Sequence, residues 1–342
     1  MNLTERERKV LEAVIESYVA TAEPAGSRTI ARKFPLGVSA ATIRNTMSDL
    51  EDRGYLFHPH ASAGRVPTDL AYRVYVDQLV PPRPTTSDVE ALRRELDGEH
   101  TPIEALLKKA AQVLGVLTQE LGIAVGPSLD AAVLERLELI KVSHERLLLV
   151  LALSGGVART IFVEVANGLP QEAVAGVGAV LNDRLTGLTL REIRTTLRAR
   201  LRDTAAVSGE SELLNIFIEE AEQLFDQPAG QEDVVLLGSA QMLAEQPEFS
   251  GSNERMRNLL ELTERRDLLR QALRSRPGAG LTVSIGGEHA DPRLSAFTIV
   301  TASYQQGQIA GVIGVMGPTR MPYQKIVALV EHTSQLMGDL LR

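Results

Sequence analysis

Apolar positions recur along the first eighty residues at the spacing of short amphipathic helices. Val10, Leu11, Val14, Ile15, Tyr18 and Val19 form one stripe of helical period. Thr4 and Glu7 mark its start as a capping box, the hydroxyl accepting from the Glu7 N–H while the carboxylate reaches back. The run from Ala22 to Gly26, which holds Pro24, interrupts the stripe. A second helix opens at Gly26 or Ser27, with Ile30, Ala31 and Phe34 facing inward and Arg28, Arg32 and Lys33 outward. After a turn at Pro35-Leu36-Gly37, Ser39 caps a third helix that runs to about Arg53, with Ile43, Met47 and Leu50 on its inner side. Gly54 stops it in the left-handed conformation, Tyr55–Phe57 follows as a strand, and His58 to Pro67 makes a hairpin turned by Gly64.

The character of the chain then changes. Pro81, Pro82 and Pro84, followed by Thr85, Thr86 and Ser87, read as a linker over 79–101. Pro102 suits the first position of another helix, whose stripe runs through Ile103, Leu106, Leu107, Ala110, Leu114, Leu117 and Leu121. Strands are predicted at Leu137–Val142, Arg146–Leu153 and Ala158–Val165, and helices at Gln171–Leu185, Leu190–Leu201 and Glu212–Phe225. A short apolar run at Val234–Leu237, a helix from Ser252, strands at Leu281–Ile285, Phe297–Tyr304 and Gln308–Val315, and a helix from about Pro322 complete the pattern. The fold class is α+β: a winged helix-turn-helix over 1–78, an α+β domain over 102–168 and 250–342, and a mostly helical insertion at 169–249.

Composition narrows the function. The chain of 342 residues is 44% apolar and has no cysteine, which excludes disulfides, thiolate metal sites and thiol catalysis. No stretch approaches the ~18 consecutive apolar residues of a membrane span. The first ten residues carry acids and lack a signal-peptide core, so a cytoplasmic address is the expectation. The net charge is −8, yet residues 1–80 hold ten Lys/Arg and ten Asp/Glu, so the whole deficit lies downstream. A neutral module with its cations on one face is compatible with DNA, and an acidic remainder confines binding to that face.

In a winged helix-turn-helix the third helix enters the major groove and the hairpin touches the flanking backbone. Ser39 and Thr42 suit phosphates or base edges, while Arg44 and Asn45 carry base-reading chemistry, Arg for guanine and Asn for adenine. Arg28, Arg32 and Lys33 would hold phosphates, as would Arg65 and the pair His58 and His60 in the hairpin. Plainer readings stand beside these. A winged module can bind protein instead, Arg44 can be a surface salt bridge to Asp49 or Glu51, and Arg32 and Lys33 can be general surface charge. Gly307, Gly311, Gly314 and Gly317 lack the ending of a P-loop and read as close-packing positions. No catalytic or metal-binding constellation is present in the pattern, so neither an enzyme nor a cofactor is expected.

Residues 54–77, GYLFHPHASAGRVPTDLAYRVYVD, closely resemble the signature of the HrcA family of heat-inducible transcription repressors. SAATIRNTMSDLEDRGYL at 39–56, LLGSAQMLAEQPEF at 236–249 and GVIGVMGPTRMPY at 311–323 are similar to the family as well, so the resemblance covers nearly the full length. It implies that the α+β domain is GAF-like and that the insertion dimerises. It also implies a homodimer that represses chaperone operons at the inverted repeat called CIRCE, with the chaperonin GroE maintaining its activity. Ser39, Thr42, Arg44 and Asn45 are carried over as recognition-helix residues, and Ser62, Gly64 and Arg65 as hairpin residues. His58, His60 and Phe57 sit at variable positions and receive no role, and Tyr72 and Tyr75 are read as packing residues. The competing functions are a regulator whose GAF-like domain takes a small ligand, and a protein-interaction scaffold.

Overall fold

The computed structural model describes residues 3–60, 63–80, 83–97, 103–126, 129–154, 157–165, 170–205, 217, 235–274, 280–306 and 309–341. It is a mixed helix and sheet protein of the α+β class that divides into two compact units. One takes residues 1–124, 235–303 and 312–336; the other takes 125–234, 304–311 and 337–342.

The first unit begins with α1 (Glu5–Thr21), α2 (Ser27–Lys33) and α3 (Ala40–Asp52). The capping box forms as the sequence predicts. Thr4 Oγ1 accepts from the Glu7 N–H at 3.3 Å, and Glu7 Oε2 accepts from the Thr4 N–H at 2.7 Å. The α1 stripe closes over α2 and α3, burying Val10, Leu11, Val14 and Ile15 against Ile30, Ile43, Met47 and Leu50. Gly54 has φ +78°, the left-handed stop expected of it. Strands β1 (Leu56–Phe57) and β2 (Val66–Pro67) then pair antiparallel, Leu56 opposite Pro67 and Phe57 opposite Val66. Thr68 caps α4 (Asp69–Asp77), its hydroxyl accepting from the Ala71 N–H and donating to the Gly54 and Tyr55 carbonyls.

Where the proline-rich stretch reads as a linker, the structure has α5 (Thr86–Leu96). Thr85 is its N-cap, accepting from the Asp88 N–H at 3.2 Å, and Leu92 and Leu96 are buried against α6 (Ile103–Thr118). The Thr, Ser and Asp that suggested a loop are a helix start. Leu121 also departs from expectation: α6 ends at Thr118, Gln119 turns the chain with φ +61°, and Leu121 opens β3 (Leu121–Val125), buried throughout.

The remaining elements of this unit are β7 (Val235–Leu237), short helices α9 (Gln241–Ala244) and α10 (Pro247–Ser250), and longer ones α11 (Asn253–Glu264) and α12 (Arg266–Arg274). Strands β8 (Leu281–Ile285), β9 (Phe297–Gln306) and β10 (Ile309–Pro318) lead to α13 (Tyr323–Leu340), with 304–311 and 337–340 of these elements counted in the second unit. The sheet runs β7-β3-β10-β9-β8, so strands far apart in sequence lie side by side. Ile326, Val327, Leu329, Val330 and Met337 of α13 are all buried.

The second unit holds a meander of β4 (Leu134–Lys141), β5 (Arg146–Leu153) and β6 (Val157–Glu164). Helices α7 (Gln171–Leu185) and α8 (Leu190–Ala205) share its core: Leu137, Leu147, Leu149, Leu151 and Val163 pack with Val177, Leu181, Ile193 and Leu197. Asn182 fastens α7 to β4, its Oδ1 accepting from the Leu137 N–H at 2.8 Å and its amide donating to the Leu137 carbonyl. The three strands therefore belong with the helices assigned to the insertion, because the sheet's apolar face needs that cover. The helix expected at Glu212–Phe225 falls, apart from Phe217, outside the described residues.

Candidate nucleic-acid interface

Helix α3 has two distinct faces. Ile43, Thr46, Met47 and Leu50 are buried, while Ala41, Arg44, Asn45, Ser48 and Asp49 are exposed. Ser39 caps the helix: its Oγ accepts from the Thr42 N–H at 3.1 Å and lies 3.0 Å from the Thr42 hydroxyl. Both predicted polar residues at the helix start are thus engaged in the cap, at the surface. Arg44 and Asn45 stand beside each other in the outer face, and neither side chain has a hydrogen bond or ion pair among the described residues. The salt bridge from Arg44 to Asp49 or Glu51 does not form. Arg28 is exposed on α2, as are Arg32 and Lys33 in its last turn.

The hairpin is held differently from the reading given to its residues. Ser62 lies outside the described residues. Gly64 runs against the α1–α2 connection, where an added Cβ would meet the Ala25 carbonyl at 2.5 Å, so no side chain fits. Arg65 exchanges two backbone hydrogen bonds with Ala25, of 2.8 and 2.9 Å. Its guanidinium turns to Glu51, Nη2 to Oε2 at 2.7 Å, leaving the side chain 14% exposed and Nε wholly buried. The other Glu51 oxygen lies 2.6 Å from His58 Nδ1. Sequence reasoning offered Glu51 only as a partner for Arg44 and missed this role, since the groups it joins lie seven and fourteen residues away across a hairpin.

Helix α4 follows the hairpin directly. Arg73 holds Glu288 and the Val283 carbonyl, and Asp69 accepts from the Gly287 N–H at 3.0 Å. Tyr72 and Tyr75 pack on Tyr323, with ring centroids 5.6 and 6.4 Å apart. Burial pushes the Tyr72 and Tyr323 phenols well above their ordinary range, as expected of neutral packing groups. At the far end of α1, Arg320 Nη1 donates to the Val19 carbonyl at 2.8 Å, while Nε and Nη2 hold Glu248. Glu248 and Arg320 come from the two downstream sequence motifs, which meet here.

No described cluster of three or more His, Asp or Glu side chains has the geometry of a metal site. The glycine-rich stretch is occupied by protein: a Cβ on Gly311 would strike Tyr304, on Gly314 the Val300 carbonyl, and on Gly317 Glu120. Gly307 lies outside the described residues.

Comparison with known proteins agrees with the sequence motifs. The family described as "HrcA protein C terminal domain" matches residues 104–327. The heat-inducible transcription repressor HrcA of Chlorobium phaeobacteroides (strain BS1) is 39% identical, covering 99% of each chain. The repressor of the same name from Pelotomaculum thermopropionicum is 34% identical over 100% of this chain and 97% of its own. A solved structure described as a hypothetical protein at 2.2 Å resolution shares the fold with a TM-score of 0.61, at 23% identity and 99% coverage of both chains.

Proposed function

The chain belongs to the HrcA family of heat-inducible transcription repressors, and we propose that it silences chaperone operons as a homodimer reading the CIRCE inverted repeat. It is a transcriptional repressor and not an enzyme. In this reading residues 1–78 are a winged helix whose α3 enters the major groove, the sheet of the first unit is GAF-like, and the second unit dimerises. The observation that carries it is the outer face of α3, where Arg44 and Asn45 stand exposed with no hydrogen-bond or ion-pair partner among the described residues. These two side chains match the donor and acceptor patterns of guanine and adenine.

One such module covers a half-site, so a palindromic operator calls for two copies related by a two-fold axis. The outward face of β4–β6 supports the dimer. Ile140 stands opposite Leu148, and Leu148 opposite Phe162, forming an apolar row across three strands. Phe162 is 63% exposed and Val142 54%, while the nearby charges pair within the chain, Arg136 with Glu138 and Arg146 with Glu164. A second copy laid on this face would cover the row. Chaperonin GroE enters the proposal through the family resemblance, as the factor that maintains the active fold.

Fluorescence anisotropy of the full chain with a CIRCE-type duplex and a scrambled duplex, across a salt series, tests the proposal. Binding to the operator should exceed binding to the scrambled sequence by ~10³ or more. Equal weak binding to both, unchanged on adding GroE, would remove the operator from the reading.

A further inference from the structure

The carboxylate of Glu51 joins both strands of the hairpin to the last turn of α3. Oε1 meets His58, just after β1, and Oε2 meets Arg65, just before β2. Glu51 follows Arg44 by seven residues, which is two helical turns and about 10 Å along the same stripe of α3. The clamp therefore fastens the hairpin to the end of the stripe that presents Arg44. Arg65 has little freedom to do anything else: its backbone is bonded to Ala25 on both sides, Gly64 beside it lies against the same strand of chain, and its Nε is buried.

We propose that Glu51 is a positioning residue for operator binding, its carboxylate fixing the hairpin on α3 through His58 and Arg65. Arg65 then serves the complex through the placement of the hairpin, not by touching a phosphate. The proposal rests on the DNA-binding reading above, and it has a sign opposite to simple electrostatics. Removing a negative charge beside DNA strengthens binding if charge alone matters. Removing the clamp weakens specific binding, because the hairpin and the Arg44 stripe no longer meet the duplex together.

The test uses the full chain with operator and scrambled duplexes at several salt concentrations. Glu51→Gln should weaken operator binding about tenfold, leave scrambled-duplex binding no weaker, and keep the wild-type salt slope. Glu51→Asp should recover part of the loss. Arg65→Gln should weaken operator binding without lowering the slope, and the double variant should be no weaker than the worse single one. His58→Gln cuts one arm of the clamp and reports the same effect in smaller measure should Glu51→Gln fail to fold. Operator binding by Glu51→Gln as tight as wild type, or an Arg65→Gln slope reduced by about one phosphate, would overturn the proposal. Wild type that binds neither duplex would instead sink the DNA reading itself.

Discussion

Arg73 and Glu288 face each other across two parallel hydrogen bonds, Nε to Oε1 at 2.7 Å and Nη2 to Oε2 at 2.6 Å. They are 215 residues apart in sequence and tie α4 to the turn after β8. The same guanidinium donates to the Val283 carbonyl at 2.7 Å and to Asp77 at 3.2 Å. A planar fork matches this arrangement and an ammonium does not. Arg73→Lys keeps the charge but loses the fork, and should lower unfolding stability by about 1 kcal/mol, a figure reduced because both side chains are part-exposed. A denaturant midpoint equal to wild type would show that the fork contributes nothing.

Arg44→Ala should weaken operator binding by roughly 1–3 kcal/mol and relax discrimination at one base position, as loss of a bidentate base contact does. Anisotropy against operators with single-base changes measures both effects. Uniform weakening across all sequences would make Arg44 a phosphate contact instead.

Glu120 is buried against Gly317, and its Oε2 accepts from Gln246 Nε2 at 3.0 Å. Burial raises its carboxyl from 4.5 to about 8, although the Gln246 hydrogen bond and Arg320 act in the other direction. In the unfolded chain the group ionises near its ordinary value, so between about 4.5 and 8 folding takes up a proton. Its contribution to stability therefore falls as pH rises through that window and levels off above it. Glu120→Gln should flatten this part of the profile, which urea midpoints at pH 6 and pH 8.5 would reveal. Parallel profiles for the two proteins would contradict the assignment.

Gly122 leaves no room for a methyl group, since a Cβ there would overlap the Ala111 carbonyl of α6. Gly122→Ala must push helix and strand apart, and overpacking against backbone costs ~1–3 kcal/mol or more. A thermal midpoint within a degree of wild type would mean that the helix shifts freely.

If two copies pair through the outward face of β4–β6, Phe162→Glu should turn the dimer into a monomer by placing like charges opposite one another. Sedimentation velocity distinguishes the two states, and an unchanged dimer would move the interface elsewhere. The monomer should also lose most of its affinity for an inverted repeat while still binding an isolated half-site weakly.

The sequence by itself determined whatever is encoded within a few residues. Thr4 with Glu7, and Ser39 before the third helix, announced helix starts, because caps act over three positions. The stripe of Ile43, Met47 and Leu50 fixed which side of α3 is buried, and so left Arg44 and Asn45 outside. The run over Arg146–Leu153 announced the strand that became β5. Being apolar throughout from Leu147 on, it left open which face is buried, and only the structure turned Leu147, Leu149, Leu151 and Leu153 inward. Local patterns also misled: the Thr85–Asp88 cap looked like linker, and Leu121 continued a helical stripe that Gln119 in fact ends.

Only the tertiary structure decided which distant groups meet. Arg65 reads as a free cation until Glu51 is seen beneath it, and nothing local to Arg73 points to Glu288. Strand order β7-β3-β10-β9-β8 and the common core of β4–β6 with α7 and α8 were equally hidden. The reason is physical. Caps and periodicity follow from the geometry of one turn of chain, whereas an ion pair across 215 residues or a neighbour in a sheet depends on how whole faces fit once both are formed.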